Sequence, residues 1–156
     1  MTQKMSNITI RQAIFTDLDN IAELFDQHRM LQGKNSDVFA ARAFLRERFN
    51  HGDSVVFIAH KNSEALGFAQ LYPSYSSTSL ARVFILNDLF IAEPGRRQGM
   101  ATKLLAALED YAWAHGAARL TLHVDKSNLS AQALYKDRRW SEDHQFFMYH
   151  RFPDGN

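Results

Sequence analysis

The sequence predicts an α/β domain built on a mixed sheet with helices on both faces. Three observations carry that prediction. Strand-like and helix-like segments alternate through the second half of the chain. A meander of apolar runs lies in the middle. Thr102–Ala114 carries a clean amphipathic stripe, which needs a surface to cover. At 156 residues the chain is most simply one domain, residues 1–156. A chain of that size buries a core without disulfide or metal.

The elements follow in order. In Asn7–Ala13, Ile8 and Ile10 alternate against Thr9 and Arg11, the period of a strand. Thr16 opens a helix, with Asp17 and Asp19 at its positive end. Ile21, Leu24, Phe25 and His28 recur at helical spacing. Gly33-Lys34-Asn35-Ser36 breaks that pattern. Ser36 is read as the cap of a second helix, with Phe39, Ala40, Ala43, Phe44 and Phe49 as its buried stripe. Ser54–Lys61 and Leu66–Tyr72 read as a hairpin around Asn62-Ser63-Glu64. Tyr75–Ser79 reads as a polar loop and Arg82–Ile91 as a long central strand. Thr102–Ala114 is a helix closed by Gly116. Arg119–Val124 is a strand, Ser127–Asp137 a helix capped by Ser127, and Gln145–Phe152 an aromatic last strand. The order is β-α-α-β-β-β-α-β-α-β.

Composition narrows the function classes. Apolar residues make up 46% and charged residues 22% of the chain, ordinary for a globular protein. There is no cysteine, which excludes disulfides, a thiol nucleophile and the usual zinc knuckles. The net charge is +1 with both signs interspersed, which argues against nucleic acid as a partner. No apolar run approaches a membrane span. Met1–Ser6 lacks the apolar core of a signal peptide. The expectation is a cytoplasmic enzyme or binding module. The seven histidines form no His-x-x-x-His pair, so no metal site is expected.

The most informative run is Arg96-Arg97-Gln98-Gly99-Met100-Ala101. It joins a strand to a helix. A small-residue turn there aims backbone N–H groups and a positive helix end at one spot, which holds phosphate. No Gly-Lys-Ser/Thr follows, so it is not a Walker loop. Within this run only one glycine, Gly99, follows Gly95, so it is not a dinucleotide fingerprint.

Three stretches together resemble the GNAT family of N-acetyltransferases over almost the whole chain. One is Leu86–Ile91 with Glu93-Pro94 and Arg96–Ala101. Another is Asn128, Ala131 and Leu134-Tyr135. The third is the opening Ile10-Arg11-Gln12-Ala13 followed by a helix. Tyr72-Pro73-Ser74-Tyr75-Ser76 and Asn87-Asp88 further resemble the diamine, thialysine and yeast Hpa-type branch.

The resemblance implies a mostly antiparallel sheet of six to seven strands. It also implies transfer of an acetyl group from acetyl-CoA to a primary amine of a small molecule, in a ternary complex and without metal. Leu89, Phe90 and Ile91 would pair through their backbone with the pantetheine arm. That pairing needs the next strand to splay away, as a bulge near Asn87-Asp88 would cause. Arg96, Arg97, Gln98, Gly99, Met100, Ala101 and Thr102 would surround the pyrophosphate. Asn128 and Ala131 would complete the cofactor site. Tyr135 would give the leaving thiolate a proton, or else be a buried tyrosine bonded to a carbonyl.

Asp88 would hold the ammonium and relay its proton, or else be a structural acceptor. Relatives of the diamine type carry Glu-Asp where this chain has Asn87-Asp88. Tyr72 and Tyr75 would line the acceptor pocket with Asn87 and Asp88; Phe25 and His28 could border it, though packing roles suit those two and both tyrosines better. Arg139 stands where relatives often have glycine, which predicts a differently built turn. The aromatic last strand would either pair with a second copy, giving a homodimer, or form an internal edge. Two other functions remain open at this point: acetylation of proteins or peptides, and acyl-CoA binding without turnover.

Overall fold

The structure, a computed structural model, describes residues 7–155. Met1–Ser6, read above as unlike a leader, lies outside the described residues. The chain forms two compact units that meet between His123 and Val124.

The first unit holds one five-stranded sheet in the order β1-β2-β3-β4-β5. The strands are β1 (Ile8–Gln12), β2 (Val55–Lys61), β3 (Glu64–Ser76), β4 (Ala81–Ile91) and β5 (Leu120–Leu122). The first four pair antiparallel, and β5 joins β4 in parallel. The helices of this unit are α1 (Leu18–Leu31), α2 (Val38–His51) and α3 (Met100–Ala114).

β3 alternates between two helices. Phe68 faces α1, where its ring meets Phe25 at 6.1 Å. On the other face Phe57 and Phe84 meet Tyr111 of α3 at 5.6 and 5.7 Å. Phe68, Ile58, Leu71, Leu104, Leu105 and Leu108 are fully buried between these layers. Each such side chain contributes about 1.5–3 kcal/mol relative to exposure.

α1 begins at Leu18, after a 3-10 turn over Phe15–Asp17, rather than at Thr16. Asp17 explains the delay. Its carboxylate accepts both Arg11 guanidinium nitrogens at 2.7 Å and the Ile14 N–H at 2.8 Å. The Arg11 hydrogen bonds hold this carboxyl below its ordinary value.

α2 is capped by Asp37, whose side chain accepts the Ala40 N–H, and not by Ser36. The Ser36 hydroxyl instead donates to Asp26 of α1 at 2.7 Å. The stripe differs as well. Ala41 and Leu45 are the buried residues of α2, while Phe39 is 83% exposed and Phe44 42% exposed. β3 runs on through Ser76, so Tyr75 and Ser76 are strand and not loop.

The sheet has five strands, not six to seven. Gln145–Phe152 forms no strand among the described residues. Alternating aromatics report an apolar face, but a strand exists only when its backbone is paired. Among the described residues no helix is long and apolar enough to cross a membrane.

The second unit contains α4 (Leu129–Asp137). Asn128 caps it by accepting the Ala131 N–H at 3.1 Å. Ser127, expected as the cap, is engaged elsewhere: its N–H and hydroxyl both donate to Asp125 at 2.8 and 2.6 Å. The helix closes on Arg139 at φ +68°. The Arg139 N–H donates to Lys136 and the Trp140 N–H to Tyr135 at 3.0 and 2.9 Å. This is the ordinary left-handed helix ending, built with arginine in the glycine position. The expectation of a different turn is therefore corrected.

An L-residue in that conformation costs about 1–2 kcal/mol, against about 0.5–1 kcal/mol for the extra chain entropy of glycine. Arg139→Gly is accordingly expected to stabilise the protein by roughly 0.5–1 kcal/mol. Thermal melting checks this, and an unchanged or lower midpoint would count against a strained arginine.

Candidate active site

Asn87 is the extra residue of a bulge. Gln70 pairs with Asp88, but the next residue, Leu71, pairs with Leu86. The insertion reverses which face the following side chains take. Phe84 and Asp88 are four apart and would share a face in a regular strand. Instead Phe84 meets Tyr111 of α3, while Asp88 turns to α1, with Oδ1 3.5 Å from His28 Nε2.

β5 pairs with β4 only over Phe84, Ile85 and Leu86. From Asn87 to Ile91 no strand among the described residues covers that edge of β4. Its alternate N–H and C=O groups face outward there. The bulge expected near Asn87-Asp88 is present, and β5 pairs with β4 only upstream of it.

A 3-10 turn over Glu93–Gly95 then leads to the start of α3. Arg97 and Gly99 both adopt left-handed conformations, at φ +62° and +79°. Gly99 is the residue before the helix, and no side chain caps α3. The first helical bond is Lys103 N–H to Gly99 C=O at 3.0 Å. The N–H groups of Met100, Ala101 and Thr102 thus precede the helical ladder and point out of its positive end. A Cβ at Gly99 would meet nothing within 4 Å. The glycine serves the φ angle and the open space over those amides.

Other loop side chains act as braces. Arg96 Nε donates to the Ile91 carbonyl at 2.9 Å, with its guanidinium 6.0 Å from the Phe90 ring centre. Gln98 donates to the Pro94 carbonyl at 2.8 Å. Met100 is 1% exposed. Its sulfur lies 3.2 Å from where a Cβ would stand at either Gly67 or Gly95. These two glycines let the methionine seat the loop against the sheet. A glycine inside the β3 pattern was the available signal for that close approach.

The Asp88 carboxylate is buried at 5% exposure. Oδ2 accepts Gln70 Nε2 at 2.9 Å and Asn87 Nδ2 at 3.1 Å. Gln70 is itself fully buried, and its Oε1 has no partner among the described residues. Tyr72, two residues along the same face of β3, has its hydroxyl pushed up to about 12, by burial first and then by the negative charge of Asp88. Tyr75 lies apart: it is 72% exposed and its hydroxyl accepts Arg82 Nη2 at 2.8 Å. On α4, burial raises the Tyr135 hydroxyl above its ordinary value. The Tyr135 ring centre lies 5.8 Å from that of Trp140.

The profile of the Acetyltransferase (GNAT) family matches residues 18–139. The chain belongs to this family. It is 43% identical over 142 residues to YhfO of Bacillus subtilis (strain 168), an uncharacterized N-acetyltransferase, covering 91% of this chain and 95% of that one. It is 27% identical over 114 residues to an aminoglycoside N(6')-acetyltransferase type 1 of Serratia marcescens, covering 70% and 78%. A solved structure of a probable acetyltransferase superposes with a TM-score of 0.89 at 37% identity, covering 95% of this chain and 99% of that one. An aminoglycoside N-acetyltransferase in complex with CoA superposes at 0.79 with 22% identity, covering 97% and 99%, a likeness of fold.

As a GNAT protein the chain is an acetyl-CoA-dependent acyltransferase. The first unit brings Asp88, Asn87 and Tyr72 into one cluster, with the loop of Arg96–Thr102 at the far end of β4. Asn128, Ala131 and Tyr135 belong to α4 and its cap in the second unit. Asn128 caps the helix through Oδ1, so its amide NH2 takes no part in the cap. Two members of the cluster, Gln70 and His28, were not read as Asp88 partners. Gln70 sits in an apolar strand, and an unexplained polar side chain there was the one signal. Among the described residues no group of three or more His, Cys, Asp or Glu is placed to hold a metal ion.

Proposed function

We propose that this GNAT protein acetylates a primary amine of a small polycationic molecule, a polyamine or an aminosugar, by direct attack in a ternary complex. The observation that carries this reading is the carboxylate of Asp88, turned by the Asn87 bulge toward α1 at the point where the edge of β4 opens. The negative charge of a buried carboxylate there draws an ammonium toward the site. The likeness of Tyr72–Ser76 and Asn87-Asp88 to diamine-type enzymes supports a polyamine. The aminoglycoside enzymes among the similar proteins support an aminosugar.

The pantetheine amides would pair with the open edge at Leu89, Phe90 and Ile91 as an added strand. The amides from Arg97 to Thr102 would take the pyrophosphate, with Gly99 and Ala101 small enough to allow close approach. Asn128 and Ala131 would hold the arm from α4. Fixing amine and thioester together supplies roughly 7–11 kcal/mol of the barrier. A backbone N–H near Leu89 would stabilise the oxyanion by about 3 kcal/mol. Tyr135, kept protonated by burial, would reprotonate the thiolate. The family match runs across both units, which supports their acting as one acetyltransferase domain. Such an enzyme would work in the cytoplasm.

The test is thiol release from acetyl-CoA with spermidine, kanamycin, lysine and a basic peptide as acceptors. Spermidine or kanamycin is expected to be fastest. Release with the peptide alone would replace this reading with peptide acetylation. Binding of acetyl-CoA with no release to any amine would leave a binding module.

The functional form would be a homodimer formed through Gln145–Phe152. Phe146, Phe147, Tyr149 and Phe152 are each at least 73% exposed, an apolar stretch without a strand partner that a second copy can cover. Light scattering that reads the mass of one chain would overturn this.

A further inference from the structure

Asp88 is poorly placed to meet a substrate itself. Its side chain is 6% exposed, against 16% for that of His28. Gln70 and Asn87 already donate to its Oδ2. Its other oxygen faces one group, His28 Nε2 at 3.5 Å. The His28 ring is held edge-on between Phe68 and Phe90, at 6.0 and 5.6 Å between ring centres. It is therefore oriented by packing as well as by charge.

The ring's tautomer follows from its neighbours. Nε2 lies 3.5 Å from both Asp88 Oδ1 and the Gln32 side-chain amide. A lone pair on Nε2 would accept from Gln32 but face a carboxylate. Protonated on Nε2, the ring would face that carboxylate at ion-pair distance, and the ionic partner is the stronger one. Asp88 thus selects the Nε2–H form. Nδ1 then carries the lone pair, and among the described residues it has no hydrogen-bond partner. The charged and titratable groups around the ring are few. β4 contributes Asp88, and β3 contributes the Tyr72 phenol on the same face, itself under the fields of Arg48 and Asp53. Arg29 follows His28 on α1.

We propose that His28 is the catalytic base and Asp88 its positioning residue, an inference that rests on the acetyl transfer proposed above. His28 Nδ1 takes one proton from the substrate ammonium, and the Asp88 carboxylate stabilises the resulting imidazolium. The freed amine attacks the thioester carbon. The C–N bond forms and the C–S bond breaks. The thiolate leaves with the Tyr135 proton, and the phenolate takes the second proton from the new amide nitrogen. His28 then releases its proton to solvent, so one proton is lost per turnover.

The test compares wild type, His28→Gln and Asp88→Asn. Spermidine and kanamycin are the acceptors, with acetyl-CoA affinity read separately by calorimetry. His28→Gln is expected to lose about 100-fold in kcat/KM near pH 7. Part of that loss should return at alkaline pH, where the amine is already free, and acetyl-CoA affinity should stay unchanged. Asp88→Asn should shift the acidic limb of the pH profile. Activity within threefold of wild type with an unaltered pH profile in His28→Gln overturns the proposal. Should the wild type acetylate neither amine, the functional reading falls and the dyad is judged on the ring alone. Nitrogen NMR should then find His28 protonated on Nε2 in wild type and not in Asp88→Asn; protonation on Nδ1 in wild type overturns the dyad.

Discussion

Gly99→Leu is expected to weaken acetyl-CoA binding by at least about 100-fold while the protein stays folded. The two halves of that result have separate causes. The fold survives because a Cβ at this position meets nothing within 4 Å. The penalty is then the left-handed φ of +79°, about 1–2 kcal/mol for an L-residue, below the stability of an ordinary domain. Binding fails because the new side chain enters the space over the Met100, Ala101 and Thr102 amides. Those amides offer phosphate its hydrogen bonds, and charge-assisted bonds of this kind contribute roughly 1.5–3 kcal/mol each. Losing two of them accounts for the expected fold-change. Calorimetry with acetyl-CoA reads the affinity, and thermal melting confirms the fold. Gly99→Ala should fall between, since it carries the same φ strain without the bulk. An affinity unchanged in Gly99→Leu would remove the pyrophosphate from this loop.

Tyr135→Phe is expected to lower kcat by about 100-fold and leave acetyl-CoA affinity intact. Phenylalanine keeps the ring, and so its packing near Trp140. Under the proposed mechanism, what disappears is the proton for the leaving thiolate. The sign of the pH dependence follows from the direction of the shift. Burial raises the Tyr135 hydroxyl above the ordinary tyrosine value of 10.0. The acid form therefore persists through neutral pH, and wild-type activity should be lost only as pH rises beyond that value. Tyr135→Phe should lack this alkaline limb altogether. A variant with wild-type kcat would assign the ring to packing alone.

The parts of the fold that sequence makes legible are those fixed by local chemistry. Gly99 before an apolar-striped helix announces a small-residue turn at a helix start, though its left-handed φ is seen only in the structure. Asn87-Asp88 inside an otherwise apolar strand announces the bulge, because neither side chain suits a buried regular strand. Helix ends are harder. Ser36 and Asp37 both make good caps, as do Ser127 and Asn128. The choice depends on where each serine hydroxyl goes, to Asp26 in one case and to Asp125 in the other.

α2 misleads for a different reason. Phe39 and Phe44 outweigh Ala41 and Leu45 in hydrophobicity, but the helix turns its smaller residues inward, and only the packing against neighbouring elements decides that. Gln145–Phe152 has the composition of a strand, yet pairing is a property of two segments and cannot be read from one. The partnership of His28 with Asp88 is of the same kind. It joins α1 to β4 across the sheet, and nothing local to either residue announces the other.

The bulge at Asn87 divides the duties of a single strand. Upstream of it, β4 presents Phe84 to α3 and gives its edge to β5. Downstream, the same strand presents a carboxylate to α1, and among the described residues no further strand pairs with its edge. Were Asn87 instead to take a regular place in the register, parity would send Asp88 among the apolar side chains of α3 and leave His28 without an anion. The strand thus turns a carboxylate to its α1 face through one residue that takes no place in the β3 register.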